Sequence, residues 1–181
     1  MNYTIKEHKF RFAAWASSRA AGTSPLCRFK VNQGIEILLN SGLLDYVDNV
    51  ELLPEDKSDM DCFHEKMREN IISEAGKLGL DFTHGVAAKL LNMYFKIIFI
   101  CGGHEVNKKV GYLHPPIDAV LLDSLKINNV GGLKKEWNKS AKIRWSKFTS
   151  NDYQNVINNI KLVVKDDKPL WVIENYWQGY Q

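Results

Sequence analysis

Apolar residues along this chain recur mostly at steps of three and four, and alternating runs rich in Val, Ile and Thr are scarce. The pattern predicts helices rather than a sheet. A first helix is expected over Ile5 to Ala21, with Gly22, Ser24 and Pro25 as the break after it. A second carries Val31, Ile35, Leu38 and Leu39 on one face and stops at Ser41-Gly42. An acidic loop from Glu51 to Asp61 follows, and with Asp61 as cap a third helix presents Phe63, Met67, Ile71, Ala75 and Leu78 at helical spacing. Thr83 is the expected cap of a fourth helix, His84 to Cys101, which is apolar nearly all round and so central to the core. Gly102-Gly103 ends it. Pro115-Pro116 opens the next, with Asp118 in its first turn and Val120, Leu121, Leu122 and Leu125 behind. Two more helices are expected, one after Thr149 or Ser150 and a short one after Pro169. The fold class is therefore all-α: one compact domain over residues 1–181 of roughly seven to eight helices, in one body or in two small helical lobes around a cleft.

Composition narrows the class. With 181 residues, 45% hydrophobic and 25% charged, the chain has ordinary globular usage and enough length to build a core without metal or disulfide. Cys27, Cys62 and Cys101 are odd in number and far apart, which points to a reducing, cytoplasmic setting. The apolar patch Phe10 to Ala16 is too short for a signal peptide and is interrupted by Arg11. The most apolar run, Leu90 to Cys101, contains Lys96 and is shorter than the roughly 20 residues of a membrane span. A buried helix, no membrane partner and a monomer are the expectations.

The sharpest chemical constellation is Thr83-His84-Gly85-Val86-Ala87-Ala88-Lys89, followed after a long helix and a loop by His114-Pro115-Pro116-Ile117-Asp118. It places a lysine and an aspartate near the starts of two helices, where the helix dipole disfavours positive charge and favours negative. An amine there can attack the anomeric carbon of a nucleoside, while a carboxylate stabilises the cationic sugar as the base departs. The same spacing also fits a solvated lysine and a helix-capping aspartate.

Gly85-Val86-Ala87-Ala88-Lys89 resembles the hairpin of the helix-hairpin-helix DNA glycosylases, in which a Gly-hydrophobic-Gly-x-Lys turn opens a helix bearing the nucleophilic lysine. Pro115-Pro116-Ile117-Asp118 resembles that family's Pro-Val-Asp segment, whose aspartate is the catalytic carboxylate. The 8-oxoguanine glycosylases, above all their compact helical type, are the branch most similar, over about residues 83 to 122. The resemblance implies a central helix-hairpin-helix element, Lys89 and Asp118 as catalytic residues, and DNA contact through Thr83, His84, Gly85 and Ala87. It also implies damaged or modified DNA as partner, excision of a base such as an oxidised purine, and abasic-site lyase activity through a lysine Schiff base. Here Ala87 stands in place of the second hairpin glycine and His84 in place of a proline. No cysteine set exists for an iron–sulfur cluster, and no cofactor is expected.

Net charge is only +3, but Lys134, Lys135, Lys139, Lys142, Arg144 and Lys147 cluster around Trp137 and Trp145 with one acid, Glu136, among them. Such a run can track phosphates, with Lys134, Lys135, Lys142 and Arg144 as DNA contacts, or form a solvated segment whose tryptophans dock into the core. Trp15, Trp171, Tyr176 and Trp177 have the composition of a base-pocket wall, as core residues also would. Cys101, His104 and His114 lack a fourth partner, so no metal site is expected. The competing functional reading is a helical DNA-binding or protein-interaction module without chemistry.

Overall fold

The computed structural model describes residues 3–23, 27–165 and 167–179. Among them helices are the regular structure and no strand occurs. The expected breakers Ser24 and Pro25 lie outside the described residues.

Helix α1 (Ile5–Ala21) begins at a reciprocal cap in which the Thr4 hydroxyl accepts from the Glu7 amide at 3.2 Å and the Glu7 carboxylate accepts from the Thr4 amide at 2.9 Å. Its inner face is mostly small: Phe10, Ala13, Ala14, Ser17, Ser18 and Ala21 are buried. That lets α2 (Val31–Asn40) approach closely, and any side chain at Gly34 would collide with Ser18. Gly42 turns the chain out of α2 at φ 77°, a left-handed conformation suited to glycine.

Helix α3 (Lys57–Lys77) starts a turn earlier than the sequence pattern suggests. Met60 is buried and draws the first turn into the core, so Asp61 sits inside the helix instead of capping it. Thr83 caps α4 (His84–Phe95) by accepting from the Val86 amide at 3.2 Å. The helix then widens into a π-helical stretch, Lys96–His104, that ends as Gly103 takes φ 90°. Together they make a stretch of 21 residues, longer than its apolar run implied and apolar enough to cross a membrane by length and composition, but 67% of its most apolar window is buried against the rest of the chain.

The short α5 (Lys108–Gly111) interrupts the loop that follows. Pro115 and Pro116 do not open a helix; α6 (Ala119–Ile127) begins after Asp118, which is its N-cap. The reason is local: Asp118 is extended at φ −143° and its carboxylate accepts from the Leu121 amide at 2.9 Å. The basic run forms α7 (Lys134–Ile143), with Trp137 fully buried and its indole N–H donated to the Val130 carbonyl at 2.9 Å. Helix α8 (Ser150–Val163) is capped by Thr149, and the segment Leu170–Tyr176 is a 3-10 helix.

Two apolar clusters form the core. One joins α1 to α4, with Phe10, Ile37, Ile71, Leu91 and Phe95 at its centre. The other joins α6, α7, α8 and the C-terminal 3-10 segment around Leu121, Trp137, Val156 and Ile173. Helix α4 lies between them, giving Val86, Ala87, Leu90 and Leu91 to the first and Ala88 to the second. Lys89 therefore emerges where the two clusters meet.

Candidate active site

Lys89 and Asp118 meet. The lysine Nζ donates to Asp118 Oδ2 at 2.9 Å, and their side chains are only 8% and 18% exposed. Lys89 is the sixth residue of α4, in its second turn, so the helix dipole, which acts within the first turn, matters less to it than the facing carboxylate. Asp118 is both a helix cap and a partner of the lysine, since Oδ1 takes the Leu121 amide while Oδ2 takes Lys89. Burial alone would raise the Asp118 carboxyl; the Lys89 ammonium, the Leu121 amide and the Trp177 indole together hold it below the usual carboxylate range. Trp177 Nε1 reaches Oδ2 at 3.0 Å, which brings the C-terminal segment over the pair. Glu174 fastens that segment by an ion pair to Lys96, seven residues beyond Lys89 on the same helical course.

A buried polar relay underlies this pair. Asn92, one turn after Lys89, donates to the Pro115 carbonyl and to the Tyr153 hydroxyl, each at 2.9 Å. Its carbonyl oxygen lies 2.5 Å from His64 Nε2 and so accepts from it. His64 Nδ1 in turn accepts from Arg68 at 2.8 Å. Tyr153 already accepts from Asn92, so it donates its proton to His114 Nδ1 at 3.1 Å, and His114 Nε2 donates to Asp61 at 3.0 Å. Every donor finds an acceptor only when both imidazoles are neutral and carry their proton on Nε2. Burial, foremost, depresses both histidines, which is consistent with that assignment. Asp61 ends the relay as a carboxylate that Lys161 also meets at 2.6 Å. Sequence patterning does not reveal that Asn92, His64, His114 and Tyr153 form one network, although an asparagine inside an apolar helix is a signal of buried polar partners.

The residues expected to touch DNA separate into two groups. Thr83, His84, Gly85 and Ala87 face inward. The Thr83 hydroxyl donates to the Ser146 carbonyl at 2.9 Å, and the Gly85 amide donates to the Phe148 carbonyl at 3.2 Å. His84 is half-buried beside Arg68, and Ala87 is fully buried. Glycine is required at position 85 because a Cβ there would overlap the Trp145 carbonyl oxygen. Lys134, Lys135, Lys142 and Arg144 are all exposed, on and just beyond α7. The two tryptophans of this run behave differently from stacking platforms: Trp137 is buried and Trp145 packs against both apolar clusters.

A pocket of about 360 Å³ lies between α6 and the connection from α7 to α8, lined by Ala119, Leu122, Asp123, Arg144 and Trp145 among others; neither Lys89 nor Asp118 is part of its lining. Arg144 holds its place there at φ 70° and ψ 129°, a conformation that costs a non-glycine residue free energy. Among the described residues no three His, Cys, Asp or Glu side chains gather as a metal ion requires. His104 instead reaches Asp48, and His114 reaches Asp61. No family model, curated protein or solved structure matches this chain.

Proposed function

We propose that this chain is a DNA glycosylase that removes a modified base, with oxidised purines the first candidates, and that it nicks the resulting site through a lysine Schiff base. The observation that carries this reading is the 2.9 Å approach of Lys89 Nζ to Asp118 Oδ2 from two different helices, in a spot nearly closed to water. Once it has lost a proton, the Lys89 nitrogen attacks C1′ of the deoxyribose. The glycosidic bond breaks with its electrons passing to the base, which gains the proton that the amine gives up. Asp118, kept ionised by its partners, offsets the positive charge that develops on the sugar. The 360 Å³ pocket that Ala119, the residue after Asp118, helps to line has the size of a small-ligand site and is the candidate room for an extruded base. Because Trp177 and Lys89 share Oδ2, the C-terminal segment must shift for the sugar to approach.

Borohydride trapping on DNA carrying a lesion or an abasic site tests the reading. A covalent adduct is expected with the native chain and not with Lys89→Gln, and Asp118→Asn should slow its formation. No Lys89-dependent adduct across a broad lesion panel would defeat it.

One observation favours the second reading, a DNA-binding or protein-interaction module without chemistry. The hairpin amide of Gly85 is bonded within the chain and Ala87 is buried, so this turn presents no free cradle for a phosphate. Salt-dependent DNA binding that is indifferent to Lys89→Gln, with no adduct, would support that module.

A further inference from the structure

The outer face of α1 carries one continuous stripe. Ile5, His8, Phe12, Trp15 and Arg19 follow one another at steps of three and four, so they line one side of the helix over about 21 Å. All five are exposed: Ile5 by 69%, Phe12 by 56% and Trp15 by 49%. The rings of Phe12 and Trp15 lie side by side with centroids 6.1 Å apart. Arg11 is exposed next to the stripe, its guanidinium 4.7 Å from the Tyr3 ring. The one acid of the helix, Glu7, is engaged by Thr4 in the N-terminal cap. Large aromatic side chains seldom stand in water in adjacent pairs unless something covers them.

We infer that this face of α1 binds single-stranded nucleic acid, stacking bases on Phe12 and Trp15 and pairing phosphates with Arg11 and Arg19. Aromatic faces alternating with guanidinium groups match the alternation of bases and phosphates along a strand. A second copy of the chain fits poorly, because an antiparallel two-fold contact centred on Trp15 would set Arg11 of each copy against Arg19 of the other. A bilayer also fits poorly, because His8 and Arg19 interrupt the apolar side that would have to enter it. The stripe supplies the combination of exposed rings and positive charge that the run from Lys134 to Lys147 lacks, its Trp137 being buried. This inference is independent of the Lys89 chemistry.

Fluorescence anisotropy with a labelled oligothymidylate of about 12 nucleotides, within the usual site sizes for such surfaces, provides the test. Phe12→Ala with Trp15→Ala should weaken strand binding at least tenfold, and Arg11→Glu with Arg19→Glu should do the same while flattening its dependence on salt. Leu162→Ala, at an exposed position of α8 away from both faces, should bind as the native chain does. Circular dichroism melts accompany each variant, and Trp15→Ser alone replaces the double variant if that melts early. Three results would overturn the proposal: strand affinity unchanged by both pairs, binding of phosphatidylserine vesicles that depends on the rings while strand binding does not, or a dimer in solution that these variants dissociate. Ring-dependent strand binding without a trapped adduct would leave this inference standing and remove only the glycosylase.

Discussion

Asn92 donates to the Pro115 carbonyl at 2.9 Å, so the helix that carries Lys89 also anchors the segment that delivers Asp118. Asn92 lies three positions after Lys89, and Asp118 three positions after Pro115. The amine and the carboxylate are thereby placed by one fixed contact, a helical turn from Lys89 and three positions of non-helical chain from Asp118.

Asn92→Leu should therefore be costly. It strands the Pro115 carbonyl and the His64 Nε2 proton in a buried site, while the Tyr153 hydroxyl loses one donor and keeps its bond to His114. Leaving buried polar groups unmatched costs about 1–3 kcal/mol each, so a loss of roughly 2 kcal/mol or more in urea denaturation is expected. A loss below about 1 kcal/mol would mean that Asn92 does not hold the segment.

The relay also sets a pH response. His64 and His114 have folded pKa values held below their ordinary 6.5, so the stability they contribute is complete above that pH and is lost as acid protonates them. A proton added to Nδ1 would face Arg68 in one ring and the Tyr153 hydroxyl proton in the other. Asp61 adds a second step. Burial works against its charge, but His114 and Lys161 bring it from 3.8 down to about 2, so its contribution fades as pH falls from about 4 to about 2. Urea midpoints across pH should decline below about 6.5 and again below about 4, and Asp61→Asn should reduce the second decline, leaving the part that Asp118 contributes. Nitrogen NMR at neutral pH should find both rings as Nε2–H tautomers.

Helix positions could be read in the sequence because they rest on periodicity and caps. Thr83 and Thr149 start their helices as a hydroxyl before an apolar run should. What the pattern missed depends on partners distant in sequence. The start of α3 is fixed by the burial of Met60, and the late start of α6 by the extended backbone of Asp118. The pairing of Lys89 with Asp118 was readable from their places near two helix starts, and the covering Trp177 was not, since no local signal links it to a residue 59 positions away. The inward turn of Gly85 was hidden for the same reason, its partners being Trp145 and Phe148.

Gly85→Ala and Ala87→Gly separate packing from DNA contact at the hairpin. The first drives a methyl group into the Trp145 carbonyl and should destabilise the chain by about 3 kcal/mol or more. The second puts a glycine where the glycosylase hairpin carries one but lies buried inside α4, so it should cost about 1 kcal/mol and leave any DNA affinity unchanged. Tighter DNA binding by Ala87→Gly would show that this turn meets phosphate after all.

Removing the carboxylate should damage the fold before it informs on chemistry. Asp118→Ala leaves Lys89 buried without its partner and also deletes the cap of α6, for an expected loss of about 3–5 kcal/mol. Asp118→Asn keeps an oxygen for the Leu121 amide and should lose less. Thermal melts of the two variants check the order. Equal losses would mean that the cap contributes nothing.

Lys134 and Lys135 lie exposed on the first turn of α7, at the end of a helix where positive charge is unfavourable to the helix itself. Among the described residues neither ammonium meets a carboxylate, whereas Lys126 nearby meets Asp123 at 2.6 Å. Charge reversal of both should leave the melting temperature unchanged or slightly raised, because acids suit a helix N-terminus. If these lysines neutralise phosphates, duplex affinity should fall for all sequences alike, and the slope of log affinity against log salt should shrink by about one for each phosphate that is no longer neutralised. An unchanged slope in Lys134→Glu with Lys135→Glu would move the duplex interface away from α7 and leave its basic face as solvated surface.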